Sequence, residues 1–256
     1  MVSSEEGRSL ARATWIEIEK SIRTGRITKA ILPVGSLEQH GPHLPLSTDT
    51  IIADYVAEKV SKKCADTIKL PTIQLGCSAE HIGFAGTLSL EPETMSRIIL
   101  DISSSLVKSK LSKFFIVNGH GGNRAVLDST IGRVKEAFPE MHAYCFTIID
   151  IAKQKFDEIR KSNRRSVGHA DEIETSMMLA IEPDLVDMSK ALSEEPMLPK
   201  ALSFEPEDLA RVSFAWNARD LSKSGVMGNP LLASAQDGRI LIEFAVDAIS
   251  TIMNEL

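Results

Sequence analysis

Glu38-Gln39-His40, with Asp49 nine residues beyond His40 and the run Asn118-Gly119-His120-Gly121-Gly122-Asn123 further along, places carboxylate and imidazole groups at segment ends where they could converge. Mixed oxygen and nitrogen donors of this kind are what a divalent cation takes from a protein, and the chemistry they suggest is metal-assisted hydrolysis. In an extended segment residues two apart point the same way, so Glu38 and His40 can reach neighbouring cations while Gln39 points elsewhere. Gly119, Gly121 and Gly122 leave little bulk around His120, so a cation or substrate can approach the backbone closely. Asp49 stands at the start of a helical stretch, where its carboxylate either caps the first turn or bridges two cations. A third cluster, Gly168-His169-Ala170-Asp171-Glu172-Ile173-Glu174, adds a histidine and carboxylates at the start of another helical stretch. Glu172 and Glu174 would lie about 200° apart round a helix, so at most one of them faces the site.

These groups need elements to hold them. Apolar runs of strand length at 29–34 (KAILPV), 68–75, 113–117 (KFFIV) and 142–148 alternate with segments of helical period, the pattern of an α/β fold with a mainly parallel sheet flanked by helices. Helices are expected over 49–62, with Ile52, Val56 and Val60 on one face, and over 92–111, 124–138, 172–181 and 239–256. In open parallel sheets, sites form beyond the carboxyl ends of strands. Glu38 and His40 follow the first strand and His120 follows the third, so two strand ends deliver candidate ligands to one edge. The stretch 193–228, with Pro196, Pro199, Pro206, Gly225 and Gly228 and no clear period, reads as a long loop or lid, with Trp216, Phe204 and Phe214 its large aromatic residues.

With 256 residues, 43% of them hydrophobic, the chain can bury a sizeable core, and a single domain over 1–256 is the expectation. A net charge of -6 without clustered Lys or Arg argues against nucleic acid and for a small-molecule substrate. Cys64, Cys77 and Cys145 are widely spaced, odd in number and in no CxxC pair, which argues against a disulfide framework and fits a reducing cytoplasm. Neither a signal peptide nor an apolar run of membrane-spanning length is legible.

Four stretches, LPVGSLEQHGPHLPLSTDT (32–50), HIGFAGTLSL (81–90), VNGHGGN (117–123) and GHADEIETSMMLAIEPDLVD (168–187), together resemble the creatininase, or creatinine amidohydrolase, family in order and spacing. The resemblance runs from about Trp15 to the C-terminal helix. It implies an α/β fold of creatininase type, a two-metal centre, hydrolysis of a non-peptide or cyclic C–N amide bond, and a homo-oligomer, often a hexamer. It also implies that Glu38 and His40 bind different metals, that Asp49 bridges them, that His120 is the fourth ligand, and that His169 donates or accepts a proton near the substrate.

The chain departs from true creatininases, which have a glutamate two residues after the fourth ligand, where Gly122 stands here. They also surround the substrate with aromatic residues, whereas residue 121 is glycine and 158–168 holds no Trp or Tyr. Glu174 is the preferred substitute for the absent ligand and Glu172 the next. Glu38, His40, Asp49, His120 and Glu174, with Asp49 shared, make more coordination bonds than one tetrahedral zinc takes. Zinc is the default for such a set, and manganese or iron also suits it. The expected reaction is attack of a metal-activated water on an amide. A formamide such as a formylamino-pyrimidine ribonucleotide ranks ahead of creatinine, with Arg124 as a candidate for its phosphate. Trimming of a redox-peptide precursor and a non-catalytic assembly role are the alternatives. His43 is placed either behind the ligands as an orienting group or in a structural role, His81 as an ordinary loop residue and His142 as structural.

Overall fold

The computed structural model describes residues 9–163, 168–198 and 215–256. Four parallel strands, β1 (Lys29–Val34), β2 (Thr67–Lys69), β3 (Lys113–Asn118) and β4 (His142–Thr147), form a sheet in the order β2-β1-β3-β4. Parallel neighbours need crossover connections. These are α2 (Thr48–Lys63), α3 (Pro92–Lys108) and α4 (Arg124–Ala137). The register sets Val34 beside Asn118 and Asn118 beside Thr147, so β1, β3 and β4 end level. The segments carrying Glu38-Gln39-His40 and His120 therefore leave the sheet at the same edge.

Side chains that alternate along β3 enter two separate cores. Phe115 and Val117 pack with Ile52 and Val56 of α2, Ile173 and Met177 of α6 (Glu172–Ile181) and Leu241 of α8 (Ala235–Glu255). Phe114 and Ile116 face Met95 and Ile99 of α3 and Leu127 and Val134 of α4. Helices on both faces account for the continuous burial of β1.

Three elements were not legible in the sequence: α1 (Trp15–Arg23), opened by a Thr14 and Glu17 capping box, α5 (Ile148–Ile159), which continues from β4 without a loop, and the short α7 (Ala218–Leu221). The second strand is confined to Thr67–Lys69 rather than 68–75, because Pro71 has no N–H for the ladder. Beyond it Ile73 rejoins β1 at one bridge, donating to Pro33 O (3.0 Å). The last helix begins at Ala235, four residues before the expected start. Ser234 caps it, and Gly238 lies inside it because a Cβ there would meet Ser176 O of α6 at 1.8 Å.

Of the expected loop 193–228, Pro199, Phe204, Pro206 and Phe214 lie outside the described residues. Its flanks are joined. Glu194 pairs with Gly228 through backbone hydrogen bonds, and its carboxylate accepts from Ser222 Oγ (2.9 Å), Lys223 N (2.7 Å) and Ser224 N (3.0 Å). Among the described residues no helix is long and apolar enough to cross a membrane.

Candidate metal centre

Glu38, His40, Asp49, His120, His169 and Glu174 meet in one buried cluster beyond the β1 and β3 carboxyl ends. Asp49 is the second residue of α2, but the helix has no side-chain cap bond and the Asp49 carboxylate is 2% exposed, turned towards the cluster. The helix-cap alternative for Asp49 therefore falls. His40 Nε2 lies 3.2 Å from Asp49 Oδ1 and 3.9 Å from Glu174 Oε2. His120 Nδ1 lies 3.0 Å from Asp49 Oδ2, and its Nε2 lies 3.2 Å from Glu38 Oε2.

Several of these short contacts are not hydrogen bonds. His40 Nε2, Asp49 Oδ2 and Glu38 Oε1 are buried and have no hydrogen-bond partner. Buried polar atoms left in that state are costly unless something else satisfies them. Ligands about 2.0 to 2.2 Å from one cation sit roughly 3.0 to 3.5 Å from each other. The separations of His40 Nε2 and His120 Nδ1 from Asp49 fall in that interval.

The outer ring nitrogens support the same reading. His40 Nδ1 donates to Glu38 O (3.2 Å), His120 Nε2 to Cys77 O (3.0 Å) and His169 Nε2 to Gln39 O (2.7 Å). A carbonyl only accepts, so in each neutral ring the inward nitrogen carries the lone pair. Donation of the outer N–H to backbone is how metal-binding histidines are oriented.

The charges also fit a cation. Burial opposes charge on His40 and His120, but Asp49, Glu174 and Glu38 raise His40, and Glu38 and Asp49 raise His120, each to about 10. Asp49 is held well below the ordinary carboxylate range, burial notwithstanding, by His40 and His120. Burial raises Glu38, and it raises Glu174 to about 8. Three carboxylates this close need compensating positive charge, which protons on the imidazoles or divalent cations in their place can supply.

Glu174 and Glu172 point to different places. Glu174 accepts from Ala170 N (2.6 Å) and reaches into the cluster, whereas the Glu172 carboxylate turns away to accept from Lys161 N (2.8 Å) and Ser162 N (3.0 Å). Gly122 has a steric reason as well. A Cβ there would stand 2.4 Å from both Cys77 O and His120 Nε2, so no side chain fits at that position without displacing the histidine.

His43 sits behind the cluster with Nε2 2.9 Å from Thr175 Oγ1, and burial and the neighbouring His40 lower it to about 4. Arg124 is exposed and paired with Asp150 at 2.6 Å. His142 is exposed in β4.

His81 is the residue that sequence reasoning missed. It is 3% exposed, its Nε2 lies 3.6 Å from Glu38 Oε1, and its ring lies 4.4 Å from that of His169, centroid to centroid. A histidine inside a Gly-rich stretch has no periodicity to mark it; the signal available was its place at the head of the 81–90 segment. Trp216 stands edge-on to it at 6.3 Å.

A parallel α/β sheet with a buried cluster of imidazoles and carboxylates at its carboxyl edge defines a metal-binding hydrolase. The chain belongs to the creatininase family, whose profile, described as creatinine amidohydrolase, matches residues 11–253. It is 31% identical over 233 residues to the mycofactocin precursor peptide peptidase of Mycobacterium ulcerans, covering 87% of this chain and 83% of that one. A shorter match, 35% over 98 residues, covers 38% of this chain and 41% of a 2-amino-5-formylamino-6-ribosylaminopyrimidin-4(3H)-one 5'-monophosphate deformylase of Methanobrevibacter ruminantium. A solved structure described as a manganese creatininase superposes with a TM-score of 0.83 at 24% identity, covering 98% of both chains. That likeness shows the fold.

Proposed function

We propose that this protein is a metal-dependent amidohydrolase with a two-cation centre held by Glu38, His40, Asp49, His120 and Glu174, Asp49 being shared. The observation that carries the proposal is the set of orphaned inward atoms, His40 Nε2, Asp49 Oδ2 and Glu38 Oε1, buried with no hydrogen-bond partner. A purely structural role gives no reason to gather so many buried polar groups at strand ends. Cations held here supply Lewis acidity, polarising an amide carbonyl and lowering the pKa of a water so that it can attack near neutral pH. Zinc suits the mixed donors, and manganese is supported by the solved creatininase that carries it in its description.

His169 moves the proton. Its Nε2–H is committed to Gln39 O, and burial, with the nearby His40, holds the ring well below its ordinary value, so Nδ1 presents a lone pair to the centre. That nitrogen can take a proton from the attacking water and return it to the departing amine.

For substrate class, formamides come first. Gly121 has no atom within 4 Å of where a Cβ would be, which leaves open space at the rim in place of an aromatic clamp, and the match to the deformylase favours the same chemistry. Trimming of a peptide is the second reading, favoured by similarity to the peptidase along most of the chain. A cytoplasmic location agrees with the free thiols of Cys64, Cys77 and Cys145. Self-association, to a hexamer as the family implies, agrees with Trp15 and Ile16 standing 73% and 59% exposed on α1.

The test is elemental metal content per chain on protein purified without chelator, followed by a panel of formamides, cyclic amides and short peptides assayed for amine release. Nearly two cations per chain and turnover of a formamide are expected. Metal-free protein that hydrolyses nothing after loading with zinc or manganese would refute the proposal.

A further inference from the structure

The four histidines nearest Glu38 and Asp49 are not alike. In His40, His120 and His169 the outer nitrogen meets a backbone carbonyl, so in the neutral ring the inner nitrogen bears the lone pair. In His81 the outer nitrogen, Nδ1, meets the side-chain amide of Gln39 at 2.9 Å. The orientation of that amide is set from two sides: Gly41 N–H donates to Gln39 Oε1 (2.9 Å), and Gln39 Nε2 donates to Gly225 O (3.2 Å). The group facing His81 is therefore an NH2, which only donates. His81 Nδ1 must accept, and the ring proton resides on Nε2.

That proton points into the site. The space between these groups is small: His81 Nε2 and His169 Nδ1 lie 3.6 and 3.8 Å from Glu38 Oε1, and the three residues each bring one ligand-type atom within 4.8 Å of the others. By type of atom they could be taken for three metal ligands, but a nitrogen that carries hydrogen has no lone pair for a cation. What the space offers is one donor, His81 Nε2–H, and two acceptors, Glu38 Oε1 and His169 Nδ1. Its complement is a neutral group with at least one lone pair and two hydrogens. Water and an amine are of that class, and an amine is what amide hydrolysis releases.

We propose that His81 is a catalytic hydrogen-bond donor of fixed tautomer, set by the Gln39 amide, which together with His169 and Glu38 forms a binding position for the attacking water and the departing amine. His81 donates and His169 accepts. Gln39 and Gly225 act through His81 as positioning groups, and a side chain at Gly225 would strike Gln39 Oε1 at 1.8 Å. The catalytic part of this inference rests on the proposed amide hydrolysis; the tautomer does not.

The experiment is a long-range proton–nitrogen correlation spectrum of zinc-loaded protein with 15N-labelled histidine, with His81→Ala to assign the ring. His81 should show a protonated Nε2 and a bare Nδ1, and neither nitrogen should carry the shift of a metal-bound ring. His81→Ala and His81→Gln should keep the parent's metal content. Turnover should fall roughly 10- to 100-fold in His81→Ala and recover in large part in His81→Gln, whose amide returns a donor near the Nε2 position. An Nδ1–H or doubly protonated His81, or loss of a cation in His81→Ala, would overturn the proposal. If no amide is hydrolysed by the parent, the proposed function fails, and the spectrum and metal content still decide whether His81 is a donor or a ligand.

Discussion

Gly121 and Gly122 are neighbours in one motif, yet the structure gives them opposite tolerances. A Cβ added at Gly122 would lie 2.4 Å from Cys77 O and 2.4 Å from His120 Nε2, whereas one added at Gly121 would meet nothing within 4 Å. A carbon approaches a carbonyl oxygen no closer than roughly 3.2 Å, so Gly122→Ala must open that contact by roughly 0.8 Å. Cys77 O is main chain and accepts from His120 Nε2, so neither side can yield without moving the histidine. Overpacking of this kind costs about 1 to 3 kcal/mol, and about 2 kcal/mol corresponds to a drop of roughly 4 to 8 °C in Tm for a chain of this size. The matched Gly121→Ala change should stay within about 0.5 kcal/mol. Thermal unfolding of the chelator-treated proteins, with metal content measured before treatment, reads both effects. Gly122→Ala should melt lower and retain less than its full complement of metal, and Gly121→Ala should match the parent in both. A Gly122→Ala protein with unchanged Tm and full metal would refute the steric account of why this position carries no ligand.

Exchange of the two α6 glutamates should separate their roles: Glu174→Ala is expected to retain about one cation per chain in place of two, while Glu172→Ala keeps both and loses roughly 1 to 3 kcal/mol through the unpaired Lys161 and Ser162 amides. The opposite pattern of metal loss would assign the ligand to Glu172. Cation affinity should rise with pH, because His40 and His120, near 10 without a cation, must each give up a proton on binding. Competition with a chromophoric chelator from pH 6 to 9 should show up to roughly tenfold per pH unit for each proton displaced, and a flat profile would contradict the charge balance described. Burial works against the Glu194 carboxylate, but its Ser224, Lys223 and Ser222 hydrogen bonds bring it down to about 2. A depressed carboxyl contributes stability that is complete above its ordinary value of 4.5 and lost as pH falls towards 2. With allowance for solvent screening, Glu194→Gln should remove about 1 to 2 kcal/mol at pH 7 and much less near pH 2, and an equal loss at both pH values in denaturant titrations would count against it.

Much of the site was legible because strand chemistry is local. An apolar run followed by Glu38 and His40 two residues apart, and a second followed by His120, announce a strand end with polar groups on one side, and the ends of β1, β3 and β4 were read to within a residue. The sequence leaves Asp49 open between a helix cap and a bridging ligand, since both are satisfied by a position at the start of α2; its 2% exposure and the two imidazoles beside it turn it from the cap to the cluster. Helical geometry alone allowed one of Glu172 and Glu174 to face the site without saying which. The amides of Lys161 and Ser162, arriving from the end of α5, claimed Glu172 and left Glu174 to the cluster. Gln39 looked like the residue that points away, and it does; yet its amide, held by Gly225 from a segment 186 residues further on, fixes which nitrogen of His81 carries the proton. The local sequence determines which atoms can bind a cation, because that is a matter of residue type and spacing along one strand or turn. Which of them carry hydrogen, which are shielded from water and which find another partner is decided only when distant segments pack together, because protonation and burial depend on neighbours that the chain brings close in space and not in order.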